Sequence, residues 1–375
     1  MKTELERIDV PGEHEARERA WSVARTAFAE RQSVPRPSHW PRIAAIAVAL
    51  AALLAATVSP PGRAVIDEIR DIVGVERAQP ALFSLPSPGN LLVASDAGIW
   101  VVQEDGSKRL LGDYREATWS PFGRFVVATR ENELAALEPD GDVRWTLARP
   151  GVSSPRWTGT EADTRIAYVD RTGIRIVAGD GTGDRLLVPG VRGPLAWRPG
   201  PGFVLAYATA REVRVLDVDT GRVLWRAQRA GRRSPIRAIE WSSDGKRLLV
   251  LQPYALRVYE EGGRVAAQDD PSDATQDADA AFRPGTHEAA VIRLHGSQST
   301  VFRLATGAPL FSGTGTFDQV TWSPDGRWLL VTWPTADQWV FVRAGPEKRI
   351  RAVSNVSEQF RSNSFPRVEG WCCVP

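Results

Sequence analysis

The chain has little of what metal centres and nucleophilic sites are built from. Its 375 residues include two cysteines, four histidines, four lysines and one methionine. The cysteines, Cys372 and Cys373, are adjacent, so they supply neither a disulfide framework nor a zinc-ligand spacing. Neighbouring cysteines rarely meet disulfide geometry without strain, and the pair reads as two unpaired thiols. His14, His39, His287 and His295 read as surface residues, the last two standing too far apart on one expected strand to share a metal. No metal site and no cofactor is expected. Neither a Gly-x-Ser-x-Gly elbow nor a His-Glu-x-x-His pair occurs. Gly179-Asp180-Gly181-Thr182-Gly183 looks like a phosphate loop, but no helix follows it and it fills a turn position. No catalytic residue is therefore assigned.

Charge of one sign is missing too. Forty-seven basic residues face 45 acidic ones, for a net charge of +2, which does not suggest a nucleic-acid partner. The scarcity of lysine beside arginine, with abundant Ala, Gly and Pro, reads as the mark of a GC-rich bacterial genome. Long apolar runs are scarce as well. Residues 43–58 carry no charge, and at about 1.5 Å per residue they cover roughly 24 Å of a hydrocarbon core about 30 Å thick. With Trp40, Pro41 and Ser59 in the interfaces they make a single membrane span over 43–59. A cleaved signal peptide is disfavoured, because its basic region would be about forty residues long. Arg36 and Arg42 before the span are matched by Arg63, Arg70 and Arg77 after it, so the flanking charges do not orient it. The behaviour of a signal anchor places the amino terminus in the cytoplasm and the large domain outside it.

The tail, residues 1–42, is nearly charge-balanced, with eight basic against seven acidic residues. Trp21, Ala24 and Phe28 fall at i, i+3 and i+7, so the tail predicts an amphipathic helix whose stripe could hold a partner helix. A second amphipathic helix within residues 60–80 forms a stalk, ended by Gly74, and Pro80 opens the large domain over 81–375.

What is abundant is repetition. Phe83, Trp119, Trp157, Trp197, Trp241, Phe282 and Trp322 are separated by 36, 38, 40, 44, 41 and 40 residues. Each is followed 22 to 25 residues later by a turn glycine: Gly106, Gly141, Gly181, Gly221, Gly263, Gly307 and Gly345. Apolar runs of strand length lie between. About four short strands per forty residues, seven times, is the arithmetic of an all-β, seven-bladed β-propeller. Degenerate copies at Trp157 and Phe282 leave six or eight blades open. The segment 366–371 copies the lead-in of the other units with no hairpins after it, so it is expected to close the ring on the first blade.

Trp-Ser-Pro-Asp-Gly-Arg at 322–327, Trp-Ser-Pro-Phe-Gly-Arg at 119–124 and Trp-Ser-Ser-Asp-Gly-Lys at 241–246 resemble the repeat of TolB-like, or WD40-like, bacterial propellers. The resemblance covers residues 82–375. It implies a platform for proteins or small ligands and not a hydrolase, since no peptidase domain follows the last repeat.

Two connections depart from the repeat script. Arg226, Arg229, Arg232, Arg233 and Arg237 crowd one, and Asp269, Asp270, Asp273, Asp277 and Asp279 the next. They read as an anion-binding patch, as a hard-cation site for which the acidic spacing is poor, or as two solvated loops paired with each other. The function expected is a membrane-anchored, non-enzymatic platform for a protein or envelope component, with the arginines and aspartates as binding residues. A transmembrane regulator whose Trp21, Ala24 and Phe28 face holds a cytosolic, sigma-factor-like partner is the first alternative. An enzyme working from the propeller channel is the second. Oligomeric state is left open.

Overall fold

In the computed structural model, residues 84–373 are described, apart from 232, 233, 273, 346 and 348. The expected tail helix, the span at 43–59, the stalk and Phe83 lie outside the described residues. No helix among the described residues is long and apolar enough to cross a membrane.

The described strands form seven four-stranded antiparallel sheets. Blade 1 contains β1 (Asn90–Ser95), β2 (Gly98–Val102) and β3 (Lys108–Gly112). Blade 2 runs through β4 (Glu116–Trp119), β5 (Val126–Arg130), β6 (Glu133–Leu137) and β7 (Val143–Ala148). Blade 3 follows with β8 (Ser153–Gly159), β9 (Thr164–Val169), β10 (Gly173–Ala178) and β11 (Arg185–Pro189). Blade 4 is β12 (Leu195–Trp197), β13 (Val204–Ala208), β14 (Glu212–Asp217) and β15 (Val223–Gln228). Then come β16 (Ala238–Trp241), β17 (Leu248–Gln252), β18 (Ala255–Tyr259) and β19 (Val265–Asp269) in blade 5. Blade 6 uses β20 (Thr275–Phe282), β21 (Ala289–His295), β22 (Gln298–Arg303) and β23 (Pro309–Thr314). Blade 7 uses β24 (Val320–Trp322), β25 (Trp328–Trp333), β26 (Gln338–Arg343) and β27 (Ile350–Ser354).

A short helix, α1 (Val356–Gln359), leads to β28 (Arg367–Cys372), which pairs antiparallel with β1 and becomes the fourth strand of blade 1. Asn90 faces Cys372 and Leu91 faces Trp371, with a bulge after Leu92. The first strands of the blades touch one another in cyclic order, β4, β8, β12, β16, β20, β24, β28 and back to β4. The ring of seven blades is thereby closed. Strands are labelled a to d from this inner ring outward.

The repeated aromatic is the last residue of strand a or lies within two residues of its end. Trp371 takes that place in blade 1, so the position assigned to Phe83 in the repeat is filled by the closing strand. The core is distributed in layers between neighbouring blades. One layer joins Ala290, Ile292 and Val301 of blade 6 to Trp322, Leu329 and Val331 of blade 7, and another joins Leu330, Trp339 and Phe341 to Leu91, Val93 and Trp371 across the closing seam. Burying each large side chain is worth about 1.5–3 kcal/mol, so every seam depends on both of its blades. The indole N–H of Trp197 donates to the Arg156 carbonyl at 2.9 Å and that of Trp322 to Ala281 at 3.2 Å, each reaching strand a of the preceding blade.

The motif after the aromatic is a hydrogen-bonded turn. The hydroxyl oxygens of Ser120, Ser242 and Ser323 accept the backbone N–H groups of Phe125, Arg247 and Trp328 at 3.0, 3.0 and 2.9 Å. Ser242 and Ser323 donate in turn to Asp244 and Asp325 at 2.7 and 2.6 Å, and those carboxylates accept the N–H groups of Lys246 and Arg327. Gly123, Gly245 and Gly326 occupy φ of 67, 69 and 66°, a left-handed conformation that only glycine adopts cheaply.

The sulfurs of Cys372 and Cys373 lie side by side. They stand where β28 ends and the strict alternation of side chains stops, which lets both sulfurs turn toward the a–b turn of blade 2. A Cβ added to Gly123 would lie 3.2 Å from the Cys373 sulfur.

A methyl group on Gly245 would meet the Pro199 carbonyl oxygen at 2.5 Å, whereas one on Gly221 (φ 70°) meets nothing within 4 Å. Gly245→Ala is expected to cost about 2–4 kcal/mol and Gly221→Ala about 1–2 kcal/mol in urea unfolding of the purified chain. Equal losses at both positions would contradict the turn geometry.

Candidate functional site

An antiparallel meander sends its b–c turns and d–a connections to one face and its a–b and c–d turns to the other. The a–b face carries grooves between blades. One of ≈ 480 Å³ between blades 2 and 3 is lined by Phe122, Phe125, Arg144, Trp145 and Trp157. Phe125 stacks on Trp157 with ring centres 6.2 Å apart, and the Trp145 indole donates to the Gly179 carbonyl at 2.9 Å. Phe122, which stands where the other turns have aspartate, is 46% exposed at its rim. The counterpart between blades 4 and 5, ≈ 460 Å³, holds Trp225 edge-to-face on Trp241 and a polar rim of Arg247 with Glu260 at 2.8 Å and His287 with Asp244 at 2.9 Å.

The inner seam carries polar side chains that bond to backbone. A side chain on or beside strand a reaches a backbone N–H of the next blade in four places. Glu116 accepts from Ser154, Glu240 from Phe282 at 3.3 and 3.4 Å, Asp279 from Val320 at 2.9 Å and Gln319 from Val368 at 2.9 Å. Enclosure by protein, with Asp279 nearby, pushes the Glu240 carboxyl up to about 8. Enclosure, with Asp318 adding to it, pushes Asp279 up to about 7. Burial raises Glu369 as well, against the pull of Arg367 and Arg156. Glu116, Glu240, Asp279 and Gln319 are latches between blades.

The residues singled out in the sequence part company here. Arg226 lies on β15, exposed, and Arg229 follows it with its Nε donating to the Gly231 carbonyl at 3.2 Å. Arg232, Arg233 and Asp273 lie outside the described residues, as do Trp21, Ala24 and Phe28. The described aspartates are held by arginines of blades 5 and 6 or by backbone of the next blade. Arg257 clasps Asp270 through both of its terminal nitrogens, at 2.5 and 3.0 Å. Arg293 binds Asp269 and, at 3.0 Å, Asp277. Burial pushes Asp277 up to about 6 in spite of Arg293. Asp279 is no loop residue but one of the inner latches. The register of β18 and β21 decides this, setting Arg257 and Arg293 beside the acids. Among the described residues no group of three or more His, Cys, Asp or Glu side chains is placed to hold a metal ion.

Sequence reasoning passed over two other constellations. Asp184 takes Arg175 at 2.5 Å, Arg149 and the Tyr168 hydroxyl, and burial together with Asp184 pushes Tyr168 up to about 12. On the d–a face Arg192 donates to the Arg171 carbonyl at 2.8 Å, and the Arg229 N–H donates to the Arg211 carbonyl at 3.0 Å. The two arginines of each pair are eighteen or more residues apart in the chain, so only the pairing of the blade makes them neighbours.

The geometry defines a WD40-like seven-bladed β-propeller, and comparison with solved structures agrees. The β-propeller domain of Cps50 (Swd1) from Myceliophteria thermophila aligns with a TM-score of 0.57 and 12% identity over 73% of this chain and 100% of that one. The C-terminal WD40 domain of Sif2 aligns at 0.51 and 15% identity, over 74% and 89%. KlHsv2 with its loop 6CD replaced by a Gly-Ser linker aligns at 0.53 and 12% identity, over 70% and 93%. At such identities the likeness speaks for the fold alone. No family model matches the chain, and no curated protein matches it.

The raised carboxyls set a pH response. Glu240 and Asp279 keep their protons in the folded state after the unfolded chain has lost them. Their contribution is therefore fully present below the ordinary carboxyl range and is lost as pH rises toward about 8 and about 7. Each group removes up to about 1.4 kcal/mol per pH unit across that window. Glu240→Gln and Asp279→Asn should flatten the fall in melting temperature between pH 5 and 9 relative to the native chain. A slope unchanged in both variants would refute the assignment.

Proposed function

We propose that this chain is a non-enzymatic, membrane-anchored platform whose propeller binds a protein or envelope component outside the cytoplasm. The observation that carries the reading is the commitment of the inner seam. Glu116, Glu240 and Asp279 each accept a backbone N–H from the following blade, so the polar interior is spent on holding blades together. Variation is left to the turns and connections, the part of a propeller that meets partners. The WD40-like fold supports a role in protein interaction. The anchor is residues 43–59, with the amino terminus in the cytoplasm. A second reading rests on the Trp21, Ala24 and Phe28 stripe, by which the tail would hold a cytosolic partner and the propeller would act as its sensor.

Reporter fusions at Gln32 and after Pro375 test the topology. The expected result is a cytoplasmic signal from the first and an extracytoplasmic one from the second, and cytoplasmic signals from both would overturn the anchor. Photo-crosslinking of the full-length chain in cells should trap a partner on the propeller. Trapping through the 1–42 tail alone would favour the sensor reading.

A further inference from the structure

The d–a face distributes its charge unevenly, although the chain as a whole is almost neutral. Between residues 150 and 237 its turns and connections carry Arg171, Arg192, Arg211, Arg229 and Arg237. The acids of the same stretch are turned inward and satisfied. Asp170 is buried and accepts from Thr172 and Gly173, while Glu212 is buried against Arg214 and Gln228. Between residues 253 and 366 the same kinds of segment carry Asp270, Asp318, Asp337 and Glu358 against one described basic residue, Arg361. One side of the face, over blades 3 to 5, is thus basic, and the other is acidic.

The basic side is built by pairing, not by one run of sequence. In blade 3 the Arg192 guanidinium donates to the Arg171 carbonyl, and in blade 4 the Arg229 backbone N–H donates to the Arg211 carbonyl, so each bond ties a b–c turn to the d–a connection of its own blade. Gly193 lets the first of these connections lie against the next blade, since a Cβ there would stand 2.3 Å from the Ala208 carbonyl oxygen. That close approach brings Arg192 to the boundary of blades 3 and 4. Arg171, Arg192, Arg211 and Arg237 are exposed, and among the described residues no carboxylate lies at ion-pairing distance from any of them.

From this we infer that the basic sector of the d–a face binds an acidic protein segment, a run of aspartate or glutamate side chains. The guanidinium fork matches a carboxylate with two parallel hydrogen bonds, and exposed forks on adjacent blades offer separate points of attachment to a run of acids. The sector draws such a partner in by its field and excludes a basic one. The inference rests on the platform reading and names the chemistry of its partner.

Fluorescence anisotropy with a labelled deca-glutamate peptide and the full-length chain tests it. The native chain should bind the peptide with an affinity that falls as salt is raised. The variant Arg171→Ala/Arg192→Ala/Arg211→Ala/Arg237→Ala should bind roughly tenfold or more weakly, with a shallower salt dependence. Arg124→Ala/Arg144→Ala, on the a–b face, should bind like the native chain, and thermal melts should show both variants folded. Equal binding by the two variants would overturn the inference, as would binding to phosphatidylglycerol vesicles without binding to the peptide. Failure to bind either probe would also sink it while leaving the platform reading to the crosslinking result.

Discussion

A four-stranded blade has two apolar faces and cannot cover either by itself. Everything in this molecule follows from the need to put another blade on each. The layer that joins Val93 of blade 1 to Phe341 of blade 7 has no partner if the ring stays open. The pairing of β28 with β1 is therefore the interaction on which the others depend. It supplies blade 1 with its inner strand, brings Trp371 to the position that tryptophan or phenylalanine holds in the other six blades, and leaves no seam exposed. α1 supports it from outside, with Phe360 packed 5.8 Å from Trp100 and 5.1 Å from Trp339.

The seams are also where polar chemistry is found, and its arrangement separates structure from recognition. Toward the inner ring, carboxylates and an amide take backbone donors from the next blade. Farther out, Asp184, Asp269 and Asp277 are held by arginines from strands or connections that pack around them. Removing one member of such an enclosed cluster leaves a charge without compensation, which costs far more than an exposed pair is worth. The exposed arginines of the d–a face stand outside both arrangements. Their charge is not needed to hold a blade together, and that distinguishes them from the many arginines that the fold uses.

Much of the fold was legible because the signals are local. The serine, aspartate and glycine of the Trp-Ser-Pro-Asp-Gly turn bond to each other within six residues, so their spacing survives in the sequence as a motif. Trp157 and Phe282, whose flanking residues depart from that motif, still stand at or near the end of strand a in their blades. The site was less legible, for a reason that Asp277 and Asp279 illustrate. By simple alternation both belong to one side of β20, and by composition both belong with Asp269 and Asp270. A bulge between them shifts the register by one residue, so that Asp277 faces Arg293 while Asp279 reaches the Val320 N–H of the next blade. A single inserted residue is invisible in a hydropathy pattern. The arginine pairs were hidden differently, since a turn and a connection far apart in the chain become neighbours only after strands b, c and d have paired.

The closing ladder has a mechanical meaning. Asn90 and Cys372 face each other at one end of an antiparallel pair, and the chain leaves both strands at that same end. Tension between the two would load the hydrogen bonds of the ladder one after another, like a zipper, and not all together as in shear. The ring that resists heat and solvent through seven cooperating seams is thus weakest to a pull applied at its own clasp, and a force on the segment preceding β1 would open blade 1 before it strained any other.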